Sequence, residues 1–394
     1  MTSDHNVRHH QQLVRLADIC SLVTERVPAG SASRLRVDLE HIESGTGLLT
    51  DDAVPALPEG TRIGFERNDV LFGKLRPYLR KTHLASEVGE CSTEIWVIRA
   101  RTELVNPRYL HCVLRSQAVQ RLANATSGTK MPRADWEHVA EAPIWLPVSA
   151  LQDQIAHVDV ALERSGRLLT QAIAAKREQK RGLMQQLLTG KVRFPGFTEP
   201  WKTVPLGEVL TESRITGSTG AVARKITIKL YGKGVYAKVE KRPGSENTRY
   251  FRRCAGQLIY SKLDCLNGAF GIVPPELDGF ESTLDMPAFD VRSNTNSEWL
   301  LAVVGRPSFY SRFKDGADGS RKAQRVDPTR FLAERISLPT RAEQDRVSAI
   351  NAVLTREIDL LVEQRIALAS QRRGLMERLL SGDLVIPPSE TSAA

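Results

Sequence analysis

Cysteine is scarce and unpaired in this chain of 394 residues. Its five cysteines, Cys20, Cys91, Cys112, Cys254 and Cys265, are odd in number and scattered, with no pair at C-x-x-C spacing. That pattern argues against structural zinc and against a disulfide framework. Histidine is missing from the second half, because all eight histidines lie at or before His157. A catalytic scheme shared by two halves therefore has no imidazole to use. No run of about 18 uncharged apolar residues occurs, and the opening MTSDHNVRHHQQ lacks the apolar core of a signal peptide. The chain is expected in the cytoplasm, with no membrane partner. Neither a G-x-x-x-x-G-K-[ST] phosphate loop nor a G-x-G-x-x-G turn after a strand is present, and no N-P-P-Y-like tetrapeptide occurs. No cofactor and no metal is expected.

What is present is ordinary globular composition with a basic surplus. Hydrophobic residues make up 41% and charged residues 26% of the chain, which rules out a largely disordered protein. The length suggests two or three domains. Lys and Arg outnumber Asp and Glu by 55 to 46, a balance that favours a polyanionic partner, most commonly nucleic acid.

The chain is built twice. Residues 180–190 and 372–382 are identical at seven of eleven positions, at an offset of 192. At the same offset, Ile144-Trp-Leu-Pro147 with Gln152-Asp153 repeats as Ile336-Ser-Leu-Pro339 with Gln344-Asp345. Val70-Leu-Phe-Gly-Lys-Leu75 is answered by Leu258-Ile-Tyr-Ser-Lys-Leu263, and Ser92-Thr93 by Ser282-Thr283. Each half thus has a divergent domain followed by a closely similar tail.

The tails read as long helices. After Pro147 and Pro339 no proline occurs until Pro195 and Pro387. Apolar or small residues recur at spacings of three and four at Leu151, Ile155, Val158, Leu162, Leu169, Ala172 and Leu183. The second stripe runs through Val347, Ile350, Leu354, Ile358, Leu361, Leu368, Leu375 and Leu379. Gly190 and Gly382 sit where helix stops belong. About 40 residues at 1.5 Å each gives roughly 60 Å. Two such helices in one chain are expected to pair, antiparallel, as a coiled coil.

The remaining sequence predicts strands at 63–65, 69–72, 94–98, 225–229, 257–260 and 288–291, and helices at 107–122 and 297–313. The fold class expected is α+β: two similar α/β domains and two long antiparallel coiled-coil helices, in an internal tandem repeat. The expected boundaries are 1–148 and 196–340 for the two domains, and 149–195 and 341–388 for the two helical regions.

Candidate binding residues are basic. Lys74-Leu-Arg-Pro-Tyr-Leu-Arg-Lys81 interleaves Lys74, Arg76, Arg80 and Lys81 with Tyr78, which suits phosphate contacts with packing against sugar or base. Its plainer reading is a solvated strand and turn. Lys74 recurs as Lys262, serving a shared fold or a shared contact. Two loops add Thr129, Lys130 and Arg133, and Ser320, Arg321, Lys322 and Arg325, combining glycine, hydroxyl and cation. Either loop is equally readable as a surface turn. The nearest acidic and lysine groupings for a nuclease are Asp264 with Lys262 and Glu178 with Lys180, the latter within a predicted coiled coil.

Two divergent domains, each followed by a long helix ending in R-G-L-M-x-x-L-L-[TS]-G, resemble the specificity subunits of type I restriction-modification systems. The resemblance extends to LPVSALQDQ from Leu146, LPTRAEQDR from Leu338, VPLGEV from Val204 and KLRPYL from Lys74. It implies a non-catalytic reader of double-stranded DNA. Each target recognition domain would read one half of a bipartite site, with the helices acting as a ruler for the gap. It implies two modification (methyltransferase) subunits and restriction (endonuclease/translocase) subunits as partners. A recognition subunit of a type II-like enzyme, a nuclease in its own right and a protein scaffold stand beside it as rival readings.

Overall fold

The computed structural model describes residues 12–28, 35–50, 61–125, 131–240, 244–314 and 325–386. The chain divides into two compact units. Unit 1 comprises Met1–Gln171 with Val362–Ala394, and unit 2 is Ala172–Leu361. Each long helix belongs to both, since the first spans Ser149–Leu187 and the second Arg341–Leu380.

Unit 1 is built on an antiparallel four-stranded sheet in the order Cys20–Val23, Ile95–Ala100, Val70–Gly73, Thr82–Leu84. A second four-stranded sheet orders Arg26–Pro28, Thr61–Phe65, Gly89–Cys91 and Leu35–Val37, the last pair parallel. Strands Gln12–Arg15 and Pro143–Leu146 close the domain as a separate ladder beside the start of the first long helix. Unit 2 repeats the plan. Its four-stranded sheet runs Leu210–Ser213, Ala288–Val291, Leu258–Tyr260, Phe270–Ile272, and its closing ladder pairs Lys202–Pro205 with Arg335–Leu338. A three-stranded sheet and the hairpin Ile226–Ile228/Val235–Ala237 complete it.

The two predicted domain helices each break in two. Pro107–Leu114 and Gln117–Ala123 are separated because Ser116 turns extended and its hydroxyl accepts from Val119 N–H, capping a new helix. Ser297–Val304 stops before Pro307, which opens the helix Pro307–Tyr310 at a position where a missing N–H costs nothing.

The tail motif is explained by packing. In unit 1 Met376 and Leu379, from the end of the second long helix, join a core that includes Leu151 and Ile155 from the start of the first. In unit 2 Met184, Leu187 and Leu188, from the end of the first, join a core that includes Val347 from the start of the second. Within each unit the two helix segments therefore run antiparallel. Each fully buried Leu or Met contributes about 1.5–3 kcal/mol of transfer energy. The turns that close both helices hold the predicted glycines, Gly190 and Gly382, with φ of 70° and 77°.

The repeated P-x-x-x-x-Q marks a buried clamp. Gln152 Nε2 donates to the Pro147 carbonyl at 2.9 Å and Gln344 Nε2 to the Pro339 carbonyl at 3.0 Å. Their Oε1 atoms accept from the N–H of Asn106 at 2.7 Å and of Asn296 at 2.8 Å. Those asparagines cap the helices Pro107–Leu114 and Ser297–Val304 and donate from Nδ2 to Asp153 and Asp345. One glutamine thus locks the start of a long helix to the start of a domain helix, twice.

Candidate nucleic-acid interface

Four of the basic residues singled out in the sequence occupy two equivalent positions, once in each unit. In unit 1 Lys74 follows the strand Val70–Gly73. Its N–H donates to the Glu94 carbonyl at 3.0 Å and its own carbonyl accepts from Ala134 N–H at 2.8 Å. In unit 2 Lys262 follows Leu258–Tyr260, donates to the Asp285 carbonyl at 2.8 Å and accepts from Val326 N–H at 3.1 Å. The residue before each of those donors is an arginine that turns back to the same acid. Arg133 bonds the Glu94 carboxylate through Nε at 2.9 Å and Nη2 at 3.1 Å. Arg325 Nε lies 3.5 Å from the Asp285 carboxylate. The shared element is a cradle of lysine, acid and arginine at a strand end.

The loop after Lys74 carries the remaining described candidates. Arg76 and Arg80 hold left-handed backbones, φ 53° and 51°, on either side of the short 3-10 turn Pro77–Leu79. That conformation costs an L residue roughly 1–2 kcal/mol. Tertiary hydrogen bonds fix it: Arg76 N–H donates to the Pro132 carbonyl at 2.8 Å, and Leu75 bridges Arg133. The turn thereby puts Tyr78, 57% exposed, at its apex beside exposed Arg76. Arg80 is half-buried. Lys81 is half-buried, its ammonium donating to the Leu39 carbonyl at 2.5 Å. Thr129, Lys130, Ser320, Arg321 and Lys322 lie outside the described residues.

Burial pushes the thiols of Cys20, Cys91 and Cys265 up to about 12, which suppresses the thiolate at neutral pH. Among the described residues no cluster of three His, Cys, Asp or Glu is placed to hold a metal, and no helix is long and apolar enough to cross a membrane. Asp264 faces the Ser261 hydroxyl within its own loop, and Glu178 pairs with Arg181 on the surface of the first long helix.

Sequence reasoning passed over the hairpin of strands Ile226–Ile228 and Val235–Ala237, although Lys229, Lys233 and Lys238 alternate with Tyr231 and Tyr236 in and just after it. The signal was that cation and aromatic interleaving, at positions that the tandem repeat does not mark.

No family model matches the chain. Over 149 residues it is 26% identical to the type I restriction enzyme EcoDI specificity subunit of Escherichia coli, a match covering 36% of this chain. The chain thus spans about a third of that curated relative, 31% of its length. Solved structures match over nearly the whole chain. A chain from work on complex assembly and conformational transition of the type I R-M system superposes with a TM-score of 0.64 at 20% identity, covering 96% of this chain and all of that one. The HsdS subunit from Thermoanaerobacter tengcongensis gives a TM-score of 0.52 at 19% identity, over 97% of this chain and 99% of that one. The type-I restriction-modification S subunit from M. genitalium gives 0.53 at 12% identity, over 96% and 98%. The α+β architecture expected from the repeat is therefore found, and the chain has the fold of the type I restriction-modification specificity subunits.

Proposed function

We propose that this chain is the DNA-specificity subunit of a type I restriction-modification complex, acting in the cytoplasm and carrying no catalysis of its own. The observation that carries this reading is the duplicated cradle, Lys74, Glu94 and Arg133 against Lys262, Asp285 and Arg325, set in surroundings that otherwise differ. Two equivalent basic positions with unlike neighbours suit two unlike half-sites of one bipartite duplex. Phosphate contacts supply affinity and a few side chains per domain supply sequence.

In the first domain, residues 1–148, the DNA contacts are Lys74, Arg76, Tyr78, Arg80, Lys81, Thr129, Lys130 and Arg133. In the second, residues 196–340, they are Lys262, Ser320, Arg321, Lys322 and Arg325. Arg133 engages Glu94 through Nε and Nη2, which leaves Nη1 for an acceptor on DNA. The helical regions, 149–195 and 341–388, set the gap between half-sites and dock two modification subunits, to which restriction subunits add. The E. coli relative, named as a specificity subunit, supports the role.

The test is a genome-wide map of methylated adenines in a host expressing this chain with a cognate modification subunit, compared with a host lacking the chain. A two-part motif with a fixed gap, present only with the chain, is expected. A stable complex with an active partner and no chain-dependent methylation overturns the proposal. Inserting one heptad into both helices at matched positions adds about 10 Å to each, so the gap is expected to grow by roughly three base pairs.

A further inference from the structure

The hairpin of unit 2 is an exposed basic and aromatic projection that the cradle does not account for. Its strands, Ile226–Ile228 and Val235–Ala237, are held by inward-facing Ile226, Ile228 and Val235, all buried. The connecting turn is unusual. Tyr231 has φ 59°, Gly232 66° and Gly234 91°, so the chain doubles back through left-handed positions that glycine permits and tyrosine does not favour.

Despite that cost, Tyr231 is 70% exposed. Its backbone is what the fold grips: Tyr231 N–H donates to the Asn267 carbonyl and Gly232 N–H to the Gly268 carbonyl, both at 2.9 Å. A large ring is thus held outward on a pinned turn. Behind it Tyr236, 44% exposed, lies under the Lys229 ammonium, 4.0 Å from the ring centroid. Lys233 is exposed at the tip, and Lys238 lies 3.2 Å from Glu240 at the base.

The position of this turn is set by the loop that begins at Lys262. That loop joins strand Leu258–Tyr260 to strand Phe270–Ile272, which pair directly. At its start Lys262 is fixed to Asp285 and Val326; near its end Asn267 and Gly268 receive the hairpin tip. Cradle and tip therefore lie at the same end of the four-stranded sheet. In unit 1 the stretch Glu43–Leu48 meets the loop after Lys74, Gly45 N–H donating to the Leu79 carbonyl at 3.1 Å, and its sequence Glu-Ser-Gly-Thr-Gly-Leu holds neither cation nor aromatic ring.

We infer that the hairpin tip, with Tyr231 and Lys233 as its contact residues and Lys229 behind them, is a DNA-reading finger of the second domain. The inference rests on the proposed function above. Exposed aromatic rings flanked by ammonium groups match a partner that offers base or sugar faces beside phosphates. A protein partner is the competing occupant, and the test separates the two.

The experiment uses the full chain co-expressed with its modification subunit. Tyr231→Asn removes the ring while tolerating a left-handed backbone, and Lys233→Ala removes the tip charge. In each variant the methylated motif is expected to relax in the half read by the second domain, identified by swapping that domain, with the other half intact. Binding of purified complex to a duplex carrying the motif is expected to weaken by about tenfold, and the double variant Lys229→Gln/Lys233→Ala to lower the slope of log affinity against log salt by up to about two. Thermal melts matching the parent chain certify that the variants are folded. An unchanged motif and affinity in folded variants overturns the inference, as does lost co-purification of the modification subunit with DNA binding retained. Failure of the parent chain to direct any motif overturns the proposed function instead.

Discussion

Arg372, near the end of the second long helix, grips the carboxylate of Asp159 on the first through Nε at 2.8 Å and Nη2 at 2.9 Å. Their side chains are only 17% and 7% exposed. Burial pushes the Asp159 carboxyl up, but the hydrogen bonds and charge of Arg372, with Arg115 and His111 behind it, hold it below its ordinary value. The repeat places Asn351 and Lys180 at the corresponding positions, and there Lys180 bonds the Thr355 hydroxyl instead. The ion pair therefore distinguishes one pair of helix segments from the other.

Asp159→Asn strands a mostly buried guanidinium, with Glu163 4.0 Å away as its remaining acidic neighbour. Breaking a buried pair costs about 3–5 kcal/mol, and the nearby glutamate places this loss toward the lower figure. The double variant Asp159→Leu/Arg372→Met is expected to recover most of it, because neither charge is then left unpaired. Urea unfolding of the three chains checks both statements. A double variant as unstable as the sum of its parts would contradict them.

Acid sensitivity follows from a neighbour of that pair. His111 is buried, with Nε2 3.4 Å from the Thr82 carbonyl, and burial together with the Arg115 charge pushes its imidazole down to about 3. The folded chain keeps His111 neutral while the unfolded chain protonates it below about 6.5. Its contribution is therefore complete above pH 6.5 and is lost as pH falls toward 3, at roughly 1.4 kcal/mol per pH unit. His83, lowered by burial, acts in the same direction. Asp159 adds acid sensitivity only below its ordinary range, near pH 4. Unfolding free energy is expected to drop by about 2 kcal/mol between pH 6.5 and 5, and His111→Gln to flatten that slope. An unchanged slope in the variant rules His111 out as the source.

The glutamine clamp gives the same prediction in both units. Gln152→Leu leaves the Asn106 N–H and the Leu104 and Pro147 carbonyls without the partner they have now. A buried group left unsatisfied costs about 1–3 kcal/mol, so a loss of about 3 kcal/mol is expected, and a similar one for Gln344→Leu. Differential scanning calorimetry reads both as lowered melting temperatures. A shift in only one variant would show that the two clamps are not equivalent.

These examples mark how far the sequence could be read. Repetition exposed whatever both halves retain: the helix lengths, the terminal glycines, the lysine at the strand end and the glutamine after the proline. Pairing across long separations was hidden, since Gln152 meets Asn106 46 residues earlier and Arg133 meets Glu94 39 residues earlier, and no periodicity links such residues. The helix breaks at Ser116 and Pro307 were written as a cap and a proline, yet apolar spacing across them outweighed those signals. Features present in one half only were least legible. Glu343, which is buried and binds Arg193 and Trp201, stands where the repeat has Leu151. The cations and rings of the hairpin at Tyr231 are not repeated in the stretch Glu43–Leu48 of the first half.

The cradle arginines offer the sharpest separation between a structural role and a reading role. Arg133 is 49% exposed at its side chain and Arg325 51%, so solvent screens each acid pair and it contributes little to stability. Arg133→Ala is therefore expected to leave the melting temperature nearly unchanged while relaxing the first domain's half of the methylated motif. Arg325→Ala should relax only the other half. A bidentate base contact is worth about 1–3 kcal/mol of discrimination, or roughly ten- to a hundredfold in preference at one base pair. Arg133→Lys keeps the charge but loses the planar fork. If that variant restores sequence preference, the arginine acts through charge on phosphate; if it restores overall affinity but not preference, the guanidinium reads a base. Equal weakening of both halves by either alanine variant would assign the cradles to holding the loops in place rather than to reading sequence.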